Sequence, residues 1–110
     1  QATECGIRAS VCGATTQDIW LAMNKIIEEA STGGNNAGRL GHGVGLQLTE
    51  PPSHMLGDKT ILVPNMVITI EPGIEYSPGK TLVHEENIVV TENGPKLLTI
   101  RAPREMPIIK

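Results

Sequence analysis

The chain is poor in aromatic residues. It has no phenylalanine, one tryptophan and one tyrosine, and its hydrophobic share is 39%. Isoleucine, leucine, valine and methionine must therefore fill the core. The 110 residues are enough for one domain with a modest core and too few for two.

The chain also lacks an excess of basic residues and a long apolar run. A formal net charge of −3 provides no basic surface for nucleic acid. No apolar run approaches membrane-spanning length, and no charged-then-apolar leader opens the chain. We expect no nucleic-acid partner and no membrane partner, and a soluble cytoplasmic protein is the default expectation.

Cysteine is scarce, with Cys5 and Cys12 near the start of the chain. Their spacing does not match the close CxxC pairs of zinc sites, and nothing suggests secretion. A disulfide, a metal pair and two buried thiols are the alternatives. We expect buried or semi-exposed reduced thiols, which is the usual behaviour of free cysteine.

Two helical segments open the chain. The first stretch has helical spacing that ends near Cys12, and it reads like the end of a helix in a longer protein. Thr15 and Asp18 then form a capping-box-like signal for a helix that runs to about Ala30. An apolar stripe predicts the core face of this helix: Ile19, Trp20, Met23, Ile26 and Ile27.

Two segments rich in glycine or proline follow. Residues 31–45 carry six glycines and indicate a loop that leads into a short strand near His42. Residues 49–65 contain three prolines and read as an extended loop rather than a regular element. His54 lies in that loop, where it either contacts substrate or faces solvent.

The rest of the chain reads as β-strands. Residues 66–71 alternate, with Val67, Thr69 and Glu71 on one face. Residues 81–91 and 96–100 predict further strands, with turns at 77–79 and 92–94. The sequence therefore predicts an α+β fold, with one or two helices packed on an antiparallel curved sheet.

His42, Glu71 and Glu85 lie in separate segments, so the fold must bring them together if they form a site. One imidazole and two carboxylates suit a divalent first-row metal. Ion pairs with Lys80 or Arg39 are the alternative interpretation of the carboxylates. Alternation does not tell whether Glu85 or Glu86 faces the site.

Three motifs resemble the C-terminal motifs of the creatinase/aminopeptidase P family, the pita-bread metallopeptidases: GHGVGLQLTEPPSH, PNMVITIEPGIEY and LVHEENIVVTENGPKLLT. The resemblance covers nearly the whole chain. It implies a partial pita-bread fold in which residues 1–110 are the C-terminal part of a catalytic domain. It also implies a centre of two divalent ions (Mn, Fe, Co or Zn), with His42, Glu71 and Glu85 as metal ligands and Glu71 as a catalytic residue.

The chain departs from the family pattern at two places. Thr49 stands where the family usually has a second, catalytic histidine, and a hydroxyl cannot act as an imidazole near neutral pH. The family's remaining metal ligands are aspartates on an upstream hairpin, whereas this chain has only Asp18 and Asp58. Neither fits that role, so we expect the aspartate hairpin to be absent and the site to be partial or empty.

The resemblance supports a fragment of a metal-dependent Xaa-Pro aminopeptidase or dipeptidase, acting on Xaa-Pro peptides and inactive alone. The Thr49 variant favours a metal-dependent lyase or hydrolase of small molecules such as dimethylsulfoniopropionate. A non-catalytic pita-bread binding module is the third hypothesis. A homodimer that rebuilds a pseudo-symmetric sheet would cover bare sheet edges and apolar surface.

Overall fold

The structure, a computed structural model, describes residues 1–30 and 38–109. The loop predicted over residues 31–37 therefore lies outside the described residues. The described elements are, in chain order, α1 (Ala2–Ala9), α2 (Thr16–Ala30), β1 (His42–Gly43), β2 (Glu50–Ser53), β3 (Val67–Ile70), β4 (Gly73–Ser77), β5 (Lys80–Val83), β6 (Glu86–Val89) and β7 (Lys96–Leu97).

The strands form an antiparallel sheet in the order β2-β1-β3-β6-β7, and β4 pairs with β5 in a separate hairpin. Two helices pack on the sheet, which confirms the predicted α+β class. Within the described residues, no helix has both the length and the apolar character needed to cross a membrane. Cys5 and Cys12 are free thiols, as expected, and Cys5 is partly buried, but Cys12 is exposed rather than buried or semi-exposed.

Helix α2 begins at the predicted cap. The backbone N–H of Thr15 donates to the Asp18 carboxylate at 2.8 Å, and the backbone N–H of Asp18 donates to the Thr15 hydroxyl at 3.2 Å. This reciprocal pair satisfies backbone donors that have no partner within the helix. The inner face of the helix contributes Ile19, Met23 and Ile27 to the core.

Helix α1 packs closely against α2 and the sheet because it carries a glycine at the contact. A Cβ atom added at Gly6 would lie 2.6 Å from the Met23 sulfur and 2.8 Å from a methyl group of Ile70. Both distances are shorter than van der Waals contact. A side chain at position 6 would therefore push α1 away from the core.

The pairing of β3 with β6 divides the side chains between two faces. Ile68 pairs with Ile88, and Ile70 pairs with Glu86. These side chains point toward the helices, since Ile70 meets α1 at Gly6 and all three isoleucines belong to the core. The intervening pair, Thr69 and Asn87, points to the opposite face.

The prediction of an irregular loop over residues 49–65 is wrong at its start. Glu50–Ser53 forms β2, which pairs with β1 across a bulge. Proline has an extended φ and no backbone N–H, so it fits a strand at the edge of a sheet, where one row of donors has no partner. β2 occupies such an edge, and the two prolines read as loop signals are strand residues.

Two other strand boundaries differ from the prediction. The chain resumes a strand at Gly73, directly after Pro72, and pairs with β5 as a hairpin around residues 77–80. The strand predicted over residues 96–100 is regular only at Lys96–Leu97, although Leu98 still donates its N–H to the Asn87 carbonyl at 2.9 Å.

Asp58 ties the loop after β2 to α2. Its carboxylate accepts the backbone N–H groups of Ser53 at 2.9 Å and Thr60 at 3.0 Å, and the hydroxyl of Thr16 at 3.0 Å. Burial disfavours the charged form, but these hydrogen bonds outweigh burial and lower the pKa of Asp58 to about 2.

We expect the replacement Asp58→Asn to reduce the free energy of unfolding by about 1 kcal/mol near neutral pH, because the amide cannot satisfy all three donors. The carboxylate stabilises the fold above its ordinary pKa of 3.8, and this contribution disappears as the pH falls toward about 2. Denaturant unfolding of both proteins at several pH values measures the difference. A difference that stays constant down to acid pH would contradict the assignment.

Candidate metal centre

His42 begins the short strand β1 at the centre of the site. Its backbone N–H donates to the Thr69 hydroxyl at 3.0 Å, and its ring Nδ1 lies 2.9 Å from the Gly43 carbonyl oxygen. A carbonyl oxygen can only accept, so Nδ1 carries a proton and donates. Nε2 is thereby left as the nitrogen that faces the site, with 8% of the side chain exposed.

Glu71 directly follows β3, and the sheet sets its position. Its backbone N–H donates to the Leu40 carbonyl at 3.0 Å, which extends the β1–β3 pairing to this residue. The carboxylate oxygen Oε1 lies 2.8 Å from His42 Nε2 and accepts the Thr69 hydroxyl at 2.6 Å. The structure thus brings together His42 and Glu71, as their separate sequence frames predicted.

Gly41 permits this close arrangement of backbone and side chains. A Cβ atom added there would lie 2.3 Å from the His54 ring and 2.4 Å from the Thr69 carbonyl oxygen, and φ is +149°. A side chain at position 41 would therefore separate His42 from β3. The glycine before the histidine is a requirement of packing.

The His42–Glu71 pair suits a divalent cation. Nε2 of a neutral imidazole whose Nδ1 carries the proton has a free lone pair, and so does the Glu71 carboxylate oxygen that it faces. A divalent first-row metal accepts both kinds of lone pair as ligands. Adjacent donors on one octahedral ion, with bonds of about 2.1 Å, lie roughly 3 Å apart. The observed separation of 2.8 Å is compatible with that spacing.

The strand register gives the adjacent residues Glu85 and Glu86 different environments. The pairs Ile70–Glu86 and Gly73–Val83 flank Glu71, so the backbone of Glu85 lies across from it. Glu85 is exposed. Glu86 is 1% exposed and accepts the Thr99 hydroxyl at 2.7 Å, an Arg101 nitrogen at 2.8 Å and the Ala102 N–H at 2.9 Å.

Glu86 therefore occupies a structural ion pair on the helix side of the sheet. Burial disfavours its charge, but the bonds from Ala102, Thr99 and Arg101 outweigh burial and lower the pKa of Glu86. The ion-pair interpretation holds for Glu86, with Arg101 as the partner rather than Lys80 or Arg39. No local pattern indicated Arg101 as the ion-pair partner, because it lies beyond the last predicted strand.

Thr49 and His54 occupy different environments. The Thr49 hydroxyl lies 3.5 Å from His42 Nε2, so the structure brings it to the edge of the site. His54 is 0% exposed, and neither ring nitrogen has a hydrogen-bond partner among the described residues. Its ring packs under Gly41, so a dissolved substrate does not reach it without rearrangement.

A cleft of about 560 Å³ opens beside Glu71, and its other lining residues include Arg39, Ile74, Glu75, Thr81 and Val83. Within residues 1–30 and 38–109, no group of three or more His, Cys, Asp or Glu side chains is arranged to hold a metal ion. The site therefore presents a pair of donors, with the Glu85 backbone opposite, and not a closed cage.

An imidazole nitrogen and a carboxylate oxygen are donors that divalent first-row metals accept. The family model described as metallopeptidase family M24 matches residues 1–92. The chain belongs to this family, which the motif resemblance had predicted.

Relatives and solved structures agree with this assignment. The chain is 39% identical over 107 residues to the Xaa-Pro dipeptidase of Pyrococcus furiosus, covering 96% of this chain and 30% of that protein. Its fold matches the Xaa-Pro dipeptidase from Bacillus anthracis with a TM-score of 0.86 at 32% identity, covering 98% of this chain and 30% of that one.

The prolidase from Pyrococcus horikoshii superposes with a TM-score of 0.84 at 36% identity, covering 94% of this chain and 30% of that one. These neighbours have the pita-bread fold, and the chain corresponds to part of it. The chain spans about 30% of the length of the curated relatives that it matches.

The buried His54 predicts a pH-dependent stability. Burial lowers its pKa from 6.5 to about 4, and the Thr69 carbonyl, which favours protonation, offsets this only in part. Below pH 6.5 the unfolded chain binds a proton that the folded chain does not, so the free energy of unfolding falls as the pH drops toward 4. The size is about 3.5 kcal/mol at most, at ~1.4 kcal/mol for each pKa unit.

We expect His54→Leu to flatten this dependence, since leucine has nothing to titrate and leaves no buried polar atom without a partner. Urea unfolding at about pH 7 and pH 4.5 measures both slopes. Equal slopes in the two proteins would mean that His54 is protonated as easily in the folded chain as in the unfolded one.

Proposed function

We propose that this chain is the C-terminal part of a pita-bread catalytic domain, in a metal-dependent Xaa-Pro aminopeptidase or dipeptidase. The observation that supports it best is the approach of His42 Nε2 to Glu71 Oε1 at 2.8 Å, with Nδ1 held by the Gly43 carbonyl. A neutral imidazole nitrogen and a carboxylate then point at the same place, as in a ligand pair.

His42 would bind a divalent ion through Nε2, and Glu71 and Glu85 through their carboxylates. Such ions lower the pKa of a bound water and polarise a carbonyl group. The imidazole and carboxylate ligands suit manganese, iron, cobalt or zinc. In the whole protein, aspartates from a preceding segment would complete a centre of two ions.

Glu71 can also hold a proton. Its Oε1 is occupied by His42 and Thr69, whereas Oε2 makes no hydrogen bond or ion pair among the described residues. A carboxylate at a hydrolytic centre transfers protons efficiently when it is within hydrogen-bond reach of the reacting group. We assign that role to Oε2, and Oε1 remains the donor that pairs with His42 Nε2.

The cleft beside Glu71 fits a small, charged peptide. Its volume of about 560 Å³ is in the range typical of small-molecule pockets. Ile74 and Val83 offer an apolar wall for a proline ring, and the guanidinium of Arg39 can pair with a carboxylate. A dipeptide has both features, which supports a dipeptidase over an enzyme for long peptides.

Thr49 supports a second candidate. At 3.5 Å from His42 Nε2 its hydroxyl can donate to a substrate oxygen, but it cannot exchange a proton as an imidazole does near neutral pH. Chemistry that does not need a second histidine, such as lyase or hydrolase action on dimethylsulfoniopropionate, fits this residue. Kinetic assays of the whole protein on Xaa-Pro dipeptides and on dimethylsulfoniopropionate distinguish the two candidates. Turnover of neither, with no metal bound, would indicate a non-catalytic module.

We also propose that the chain forms a homodimer. Strands β2 and β7 form the edges of the sheet, and an edge strand offers unpaired backbone groups to a second chain. Analytical ultracentrifugation of the isolated chain over a range of concentrations would decide between a dimer and a monomer.

The isolated chain should bind at most one divalent ion, weakly, and should show essentially no peptidase turnover. The reason is its ligand set, which lacks the bridging aspartates of the complete centre. Metal analysis after dialysis against manganese or cobalt, together with a dipeptide assay, measures both. Two ions retained for each chain, with robust turnover, would contradict the prediction.

Replacing each of the adjacent glutamates by glutamine should give opposite results. Glu86→Gln should destabilise the fold by about 2 kcal/mol, because Arg101 loses its buried charged partner. Glu85→Gln should leave stability within about 0.5 kcal/mol, as at other exposed positions. Only Glu85→Gln should weaken cobalt binding directly. Thermal unfolding and cobalt titration of both variants test the pair, and a reversed pattern would assign the ligand to Glu86.

A further inference from the structure

One buried hydroxyl contacts both members of the candidate ligand pair. Thr69 is 1% exposed and lies on β3, on the face opposite the helices. Its Oγ1 accepts the backbone N–H of His42 at 3.0 Å and donates to Glu71 Oε1 at 2.6 Å. The position of Thr69 in the strand does not by itself explain why its side chain carries a hydroxyl.

We propose that Thr69 is a positioning residue that holds the His42 and Glu71 donors at the separation and orientation that a divalent ion requires. The inference rests on the proposed function of the site as a metal centre. It extends that function by assigning the geometry of the pair to one side chain that is not itself a ligand.

The hydroxyl group of Thr69 has a single proton to donate. Because Oγ1 already accepts the N–H of His42, its own proton is directed away from that contact and toward Glu71. The β-branched side chain has few χ1 rotamers, so the direction of the hydroxyl is fixed by the strand. Oγ1 of Thr69 therefore forms hydrogen bonds to both candidate ligand residues, His42 on β1 and Glu71 directly after β3.

The hydroxyl also distinguishes the two oxygens of Glu71. Oε1 receives both the Thr69 hydroxyl and His42 Nε2, so the carboxylate cannot rotate without losing two short contacts. Oε2 makes no such contact and remains available to a substrate, while Oε1 stays beside His42 Nε2 as the second donor of the pair. Ligands ordered in this way lose less entropy on binding, and loss of such outer contacts typically weakens metal affinity by about 10–100-fold.

A purely structural role does not account for the hydroxyl. Valine has nearly the same shape, is also β-branched and is preferred in strands. The neighbours that face the core on β3, Ile68 and Ile70, are apolar. A threonine on the opposite face is expected where a donor and an acceptor have to be satisfied together.

The test compares three variants of the whole chain by titration with Co²⁺, followed by visible absorption. Thr69→Val should weaken Co²⁺ binding by about tenfold or more, and Thr69→Ser, which keeps the hydroxyl, by less than about threefold. Thr16→Val is the matched control. It removes a buried hydroxyl that bonds to Asp58 and contacts neither His42 nor Glu71, and it should leave Co²⁺ affinity unchanged.

A second readout needs no metal. The backbone amide of His42 should exchange with solvent about tenfold or more faster in Thr69→Val, and in Thr69→Ser at nearly the original rate, when followed by NMR. Thr16→Val should not change the His42 amide relative to its neighbours. If Thr69→Val does not fold, Thr69→Ala takes its place with the same expectations.

The two readouts separate the proposals. If the unsubstituted chain binds no Co²⁺, its His42 and Glu71 donors do not hold an ion without the upstream aspartates. The exchange of the His42 amide then decides the role of Thr69, and unchanged exchange in Thr69→Val would overturn it. If the unsubstituted chain binds Co²⁺ and Thr69→Val binds it equally well, Thr69 does not position the ligands. Equal loss of affinity in Thr69→Val and Thr16→Val would also overturn the proposal, because it would reflect general destabilisation.

Discussion

The pairing of β3 with β1 is the constraint on which both the core and the site depend. A strand sends alternate side chains to opposite faces, so Ile68 and Ile70 enter the core while Thr69 and Glu71 line the site. The burial of the isoleucines therefore holds the carboxylate in place. The backbone bond from Glu71 to Leu40 extends this pairing to the end of the strand, where the histidine arrives from β1.

Much of this arrangement was accessible from the sequence because it follows from local patterns. The capping pair Thr15 and Asp18, the apolar stripe of α2 and the alternation before Glu71 each predicted what the structure shows. The juxtaposition of His42 with Glu71 required more than alternation. It was predicted by the motifs of a known family, since sequence periodicity alone does not pair one strand with another.

Other features depend on tertiary context that no local pattern carries. Pro51 and Pro52 are compatible with a loop and with an edge strand, and only the neighbouring β1 decides between them. The ion pair of Arg101 with Glu86 forms only when both β6 and β7 are in place. His54 read as a loop histidine, but the chain folds it under Gly41, where solvent does not reach it.

Glu85 and Glu86, where β6 begins, favour the observed register between β6 and β3. If β6 slipped by one residue against β3, Glu86 would leave Arg101 for the open face and Glu85 would enter the core without a cation. Both changes are unfavourable, because a buried charge without a partner is strongly disfavoured. Glu85 and Glu86 would thus disfavour a misaligned pairing of β6 with β3 during folding.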